Sequence, residues 1–189
     1  MKSLYITLTL IFVVITFAIS QEVKKEEVAK PIPEPKEFVT AHQGTFVGKL
    51  IKYKAIAGET YLKDKDGEPV ASIWSVTYKL DGVENTNRPV TFIFNGGPGS
   101  ASVWLHLGLF GPQITKVNSD AAEDDGGAPY PLINNTHGML DLTDLVFIDP
   151  VGTGYSRVIG KGKETDYWGL NEDASSIATF MRAWVTKYK

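Results

Sequence analysis

The stretch "TFIFNGGPGSASVWLHLGLFGP", Thr91 to Pro112, places an apolar, β-branched run directly ahead of a turn rich in glycine and proline. The run "TFIF" predicts a buried strand, because it has no polar alternation and is bounded by turn residues. The turn exposes backbone N–H and C=O groups at the point where that strand ends. Its residue pattern must therefore decide whether the exposed backbone binds a ligand.

Three kinds of binding loop place glycines after a strand, and their patterns differ. A dinucleotide-binding turn needs G-x-G-x-x-G opening a helix, and a phosphate-binding loop needs G-x-x-x-x-G-K-[ST]. The stretch "NGGPGSAS" has a proline where the helix would begin and no lysine. An oxyanion loop is the third kind, in which glycines bring backbone N–H donors close to the oxygen that becomes charged in acyl transfer. A strand-to-helix turn without chemistry is the alternative.

The rest of the chain predicts an α/β fold. The run "LVFI", at 145–148, predicts an interior strand covered on both faces. Gly44 to Leu80 alternates β-branched and aromatic residues, and predicts two or three antiparallel strands with turns at Gly58 and Asp66-Gly67. Gly111 to Asn134 has the composition of a long surface loop. We therefore expect antiparallel N-terminal strands that lead into a mainly parallel sheet.

The segment "NEDASSIATFMRAWVTKYK" predicts an amphipathic helix over 172–188. Asn171 is a candidate N-cap, and acidic residues follow it at the positive end of the helix dipole. The apolar residues recur at helical spacing, which predicts that they pack into the core. These residues are Ile177, Phe180, Met181, Trp184, Val185 and Tyr188.

The stretches "FNGGPGSASVWLHLGLFGP", "LDLTDLVFIDPVGTGYSR" and "EDASSIATFMRAWVTKY", in this order and spacing, resemble the N-terminal portion of the serine carboxypeptidase family of α/β-hydrolases. The resemblance runs from about Gly44 to Lys189. It implies the α/β-hydrolase fold and, as substrate, a peptide with a free C-terminal carboxylate. It also implies that Asn95 and Gly96 bind this carboxylate, while the backbone N–H of Gly97 donates to the oxyanion.

Other α/β-hydrolases remain alternatives. Prolyl aminopeptidases carry His-Gly-Gly-Pro-Gly at this turn, so Asn95 favours the carboxypeptidase. Acyltransferases related to the family are not distinguished by this part of the sequence. The sequence departs from the eukaryotic pattern at Ser100, where a Cys is common, and at Leu109, where a Glu is common. A bacterial type of carboxypeptidase is therefore expected, without acid-dependent carboxylate recognition through that Glu.

The nucleophile of this class lies on a G-x-S-x-G elbow, and the sequence contains no such elbow. We expect the family's Ser, Asp and His to come after this N-terminal portion, and the 189-residue chain alone to be inactive. His42, His106 and His137 do not match the family's triad positions. A secreted module that binds carboxylates without hydrolysis is the non-enzymatic alternative.

The N-terminal sequence and the composition limit where the protein can be located and which partners it can bind. Residues 1–20 have Lys2 before an apolar run that ends in small residues, which predicts a signal peptide; an uncleaved membrane anchor is the alternative. Residues 21–43 predict a disordered linker, and 44–189 the peptidase domain. The chain has no cysteine and a net charge of -3, which excludes disulfides and argues against nucleic acid as a partner.

We therefore expect a secreted or periplasmic protein of a bacterial envelope, with no stable membrane span after signal cleavage. The patterns of a dinucleotide site and a phosphate site are both unmet, and the family resemblance implies neither a cofactor nor a metal ion. We expect the protein to require neither.

Overall fold

The computed structural model describes residues 31–82, 87–96, 99–117 and 128–189. The predicted signal peptide and residues 21–30 of the predicted linker lie outside the described residues. The strands in the described part are β1 (Glu37–Phe46), β2 (Lys49–Lys63), β3 (Pro69–Leu80), β4 (Val90–Ile93), β5 (Gln113–Thr115), β6 (Leu132–Asn134), β7 (Asp144–Ile148) and β8 (Arg157–Val158). The helical elements are α1 (Val103–Leu105) with a π-helical turn (His106–Phe110), a 3-10 turn (Glu164–Asp166) and α2 (Leu170–Tyr188).

Strands β1, β2 and β3 form the expected antiparallel unit. The turn between β2 and β3 is at the predicted Asp66-Gly67, where Gly67 has a φ of +84°. The turn predicted at Gly58 is wrong, because Gly58 lies inside β2. A Cβ at Gly58 would come within 2.6 Å of the Lys36 carbonyl oxygen. Glycine is required there by a close backbone approach and not by a change of chain direction.

Strand β1 begins inside the segment that was predicted as a linker. Its residues 37–43 pair with 52–58 of β2, so these residues belong to the sheet. Composition alone misplaced this boundary, since the strand is exposed along most of its length and its polar sequence resembles a linker. Only its pairing with β2 sets the boundary.

The main sheet has the order β1-β2-β3-β7-β4, and β8 pairs with β3. Among the described strands, β4 and β7 form the parallel pair, and the other pairs are antiparallel. The sheet is therefore mixed and mostly antiparallel, where a mainly parallel sheet was expected. The reason is that the long hairpins of residues 37–80 supply three of its strands.

Strand β7 is buried at every residue, as its apolar run predicts. Val146 and Ile148 pack in one hydrophobic cluster with residues of α2. Leu145 and Phe147 belong to the cluster that also contains Phe46 and Leu140. Because successive side chains of a strand point to opposite faces, both faces of the sheet are covered at β7.

Helix α2 confirms the predicted helix, beginning two residues earlier than expected. Gly169 takes the N-cap position and Asn171 lies in the first turn, so the predicted Asn171 cap is wrong. Phe180 and Trp184 of the predicted apolar stripe are buried, and the Trp184 Nε1–H donates to Thr77 Oγ1 at 2.9 Å. None of the helices in the described residues has the length and apolar composition needed to cross a bilayer.

Candidate functional site

Two loops that contain glycine, one after β4 and one after β7, begin at the same edge of the sheet. Strands β4 and β7 are parallel, with Ile93 opposite Phe147, so their carboxyl ends lie side by side. The loop after β4 carries Asn95 and Gly96, and the loop after β7 begins with Asp149. In open sheets, ligands bind beyond the carboxyl ends of parallel strands.

Ser102 connects the end of β4 to the end of β7. Its Oγ accepts a hydrogen bond from the Asn95 backbone N–H at 3.2 Å and donates to the Ile148 carbonyl oxygen. The residue is buried, so water does not compete for these hydrogen bonds. One hydroxyl group therefore holds the residue that starts the glycine turn against the neighbouring strand. The sequence predicted no role for this serine.

Asp149, the first residue of the loop after β7, accepts hydrogen bonds from both loops. Its Oδ1 accepts from the Ser102 backbone N–H at 2.9 Å, and its Oδ2 accepts from the Tyr155 backbone N–H at 3.3 Å. The Asp149 carbonyl oxygen accepts from Ser156 Oγ at 2.6 Å, and Ser156 Oγ in turn accepts from the Trp74 backbone N–H at 2.7 Å. Sequence reasoning missed Asp149, although an acid directly after a buried strand is a recognisable signal.

The substrate-binding residues predicted from the sequence lie at this edge. Asn95 is half-buried, and its side-chain Nδ2 donates to the Gly96 carbonyl oxygen at 3.1 Å. Gly96 is exposed, and a Cβ built on it meets no atom of the described residues within 4 Å. The predicted oxyanion donor Gly97 lies outside the described residues, so its role stays a prediction. Gly99 has a φ of +86°, a conformation that favours glycine.

His106 begins the π-helical turn in the segment that follows the glycine turn, and its side chain packs against the sheet. Its ring stacks on Phe147 with centroids 4.4 Å apart, and its Nε2 lies 2.6 Å from Tyr78 Oη. Burial lowers the pKa of His106 to about 4, and burial also raises the pKa of Tyr78. The imidazole is therefore neutral at pH 7. These contacts give His106 a packing role in this part of the structure.

The other two histidines have different surroundings. The His42 ring stacks on Tyr53 with centroids 5.5 Å apart, in the β1–β2 hairpin. His137 is an exposed loop residue whose backbone N–H donates to Asn135 Oδ1 at 3.2 Å. His42 was expected in a linker and lies instead in β1. That neither residue is part of a catalytic triad stays a prediction.

Large apolar side chains in the segments that follow β4 and β7 are exposed. Trp104, in α1 directly after the glycine turn, is 71% exposed, and Tyr155 is 72% exposed. Leu109, at the position where a Glu is common, is also exposed. The Tyr155 ring lies over Trp74 with centroids 5.4 Å apart. The segments that follow β4 and β7 therefore carry exposed apolar side chains as well as backbone and amide hydrogen-bond donors.

The sequence model of the serine carboxypeptidase family matches residues 65–189, a range that contains both loops and α2. This chain belongs to the serine carboxypeptidase family. The match confirms the resemblance that the motifs indicate, and membership supports peptidase chemistry on peptide substrates. No individual curated protein matches the chain significantly. The mixed sheet is compatible with an α/β fold, and its assignment to the α/β-hydrolases stays a prediction.

Proposed function

We propose that this chain provides the substrate-binding part of a serine-type carboxypeptidase, which removes C-terminal residues from peptides through an acyl-enzyme. Membership of the family supports hydrolysis of peptides. One observation supports specificity for a C-terminus. At the carboxyl end of β4, Asn95 is followed by Gly96, and no atom of the described residues lies within 4 Å of a Cβ built on Gly96. The NH₂ group of Asn95 is a neutral hydrogen-bond donor, and a carboxylate accepts such bonds.

Asn95 supplies a donor that does not titrate. Its NH₂ group carries two hydrogens; one donates to the Gly96 carbonyl oxygen, and we assign the second to the substrate carboxylate. Because the Asn95 backbone N–H is held by Ser102, the base of the side chain is fixed before a ligand arrives. Carboxylate binding should therefore persist until the ligand's own carboxyl group is protonated.

Gly96 supplies access. Since no atom of the described residues lies near the position of its Cβ, packing in this part of the chain does not demand glycine at 96. A ligand carboxylate approaching the backbone would demand it. The side chain of any other residue would occupy the space that we assign to the carboxylate.

Gly97 is proposed as the oxyanion donor. In acyl transfer a serine oxygen attacks the peptide carbonyl, and the carbonyl oxygen becomes negatively charged. A fixed backbone N–H directed at this oxygen stabilises it more in the transition state than in the ground state. Because the sequence contains no G-x-S-x-G elbow, we propose that hydrolysis needs a serine from outside these 189 residues.

Binding of a C-terminal carboxylate can be tested on the 189-residue chain itself. We expect N-acetyl-alanyl-phenylalanine to shift the NMR signals of the Asn95 side-chain amide and the Gly96 backbone amide, and its C-terminally amidated form to leave them unchanged. Equal shifts with both forms would contradict carboxylate capture and favour an esterase or endopeptidase.

Hydrolysis is tested separately. The isolated chain should release no phenylalanine from this dipeptide, whereas release that a serine-directed phosphonate blocks would show a nucleophile that the family pattern misses. Acid-selective binding in a gene with no downstream elbow would favour the non-catalytic binding module.

We propose that the protein is exported to the bacterial envelope or secreted. The apolar run of residues 1–20 supports a cleaved signal. N-terminal sequencing of the protein recovered from the producing cells should give Gln21 as the first residue. An N-terminus at Met1 in a membrane fraction would instead support an anchor.

A further inference from the structure

Asp149 accepts hydrogen bonds from both loops of the site, and it is not one of the site residues predicted from the sequence. We propose that Asp149 is a positioning residue: through Ser102, its carboxylate holds the described residues of the glycine turn, 95–96 and 99–102, so that the Asn95 side-chain amide and the Gly96 N–H face the ligand. This inference rests on the proposed carboxylate-binding function of Asn95 and Gly96.

Asp149 is itself held in place by the sheet. Its backbone N–H donates to the Trp74 carbonyl oxygen at 3.0 Å, and its carbonyl oxygen accepts from Ser156 Oγ at 2.6 Å. Both contacts come from outside the glycine turn. The backbone of Asp149 is therefore fixed by β3 and the β7–β8 loop, and the turn is attached to its carboxylate through Ser102.

The two oxygens of the carboxylate have separate tasks. Oδ1 accepts from the Ser102 N–H at 2.9 Å, and Oδ2 accepts from the Tyr155 N–H at 3.3 Å. Asparagine has the same shape but only one acceptor oxygen. In Asp149→Asn, the NH₂ group must face one of the two N–H donors, so one loop loses its attachment.

Gly154 makes room for this carboxylate. A Cβ at Gly154 would overlap Asp149 Oδ2, and its φ of +50° favours glycine. The Gly154→Ala variant should therefore displace the carboxylate without removing it. It provides a second perturbation of the same contact from the opposite side.

Asp64 provides a matched control in the β2–β3 turn. Its Oδ1 accepts from the backbone N–H groups of both Asp66 and Glu68 at 2.9 Å each. Because a single oxygen takes both donors, Asp64→Asn keeps both hydrogen bonds. Asp64→Asn and Asp149→Asn remove the same charge, and they differ in whether an acceptor is lost.

The test titrates N-acetyl-alanyl-phenylalanine into the 189-residue chain and follows the Gly96 amide signal by NMR. Asp149→Asn and Gly154→Ala should each weaken binding about tenfold or more, as expected when a charge-assisted hydrogen bond is lost, and Asp64→Asn less than twofold. Equal affinities in Asp149→Asn and Asp64→Asn would overturn the assignment of Asp149. Failure of the unmutated chain to prefer the acid over the amide would overturn the proposed function instead.

Amide hydrogen exchange tests the positioning without a ligand. In Asp149→Asn, exchange should accelerate at Ser102 and at the other measurable amides of 95–102, while the β2–β3 amides keep their rates. If the variant does not fold, the unmutated chain still decides, because Ser102 and Tyr155 must then both be protected from exchange. Unprotected Ser102 and Tyr155 amides, or unchanged rates in Asp149→Asn, would refute the proposal.

Discussion

His106, which is half-buried and stacked on Phe147, makes the stability of this protein depend on pH in a defined window. Burial lowers the pKa of His106 from its ordinary value of 6.5 to about 4. Between these two values the unfolded chain binds a proton that the folded chain does not bind, so the free energy of unfolding falls as the pH falls. The contribution of His106 is fully present above about pH 6.5 and is lost progressively toward pH 4.

The size of this effect follows from the shift. One pKa unit corresponds to about 1.4 kcal/mol, so lowering the pH from 7 to 4.5 should cost about 2–3 kcal/mol through His106. The assay is urea unfolding at both pH values for the unmutated chain and for His106→Gln, whose side chain does not titrate. Carboxylates that titrate in this range are common to both proteins and cancel in the comparison.

The Tyr78→Phe variant identifies the cause of the shift. It removes the hydrogen bond to His106 Nε2 but leaves the imidazole stacked on Phe147. We expect a loss of about 1–3 kcal/mol at pH 7, with the pH dependence of the unmutated chain retained. The same loss between pH 7 and 4.5 in His106→Gln and in the unmutated chain would refute the reasoning.

Three further predictions concern single residues. In an enzyme that combines this chain with the proposed external serine, Gly97→Val should lower kcat by about 10²–10³. Asn95→Ala should mainly raise KM for free-acid peptides, since its proposed partner is present in ground and transition states alike. Equal impairment on amidated peptides would exclude carboxylate binding by Asn95. Gly58→Ala should destabilise the fold by about 1–3 kcal/mol in urea unfolding, because its Cβ meets the Lys36 carbonyl oxygen. Gly96→Ala should change the free energy of unfolding by no more than about 0.5 kcal/mol and should weaken carboxylate binding. Equal stabilities of the two variants would contradict this contrast. Trp184→Phe should cost about 1–3 kcal/mol, since it leaves the buried Thr77 hydroxyl without its donor, and an unchanged unfolding midpoint would show that the hydroxyl finds another partner.

The sequence by itself determined the elements whose signal is local. Strand β7 and helix α2 follow from apolar periodicity within one segment, and the buried state of β7 follows from an unbroken apolar run. The Asn-Gly-Gly-Pro-Gly turn and its motif partners determined the family, which the family comparison confirms. These features depend on residues that are close together in the sequence, so they can be predicted from the sequence alone.

Tertiary structure alone decided the features that join distant segments. Glycine is common in turns, so the sequence predicted a turn at Gly58. Only the close approach of the Lys36 carbonyl oxygen shows why β2 requires glycine at this position. Asp149 and Ser102 are 47 residues apart, and Ser156 and Trp74 are 82 apart. Hydrogen bonds over such separations depend on the pairing of β3, β4 and β7, so the support of the glycine turn was decided by the packing of the sheet.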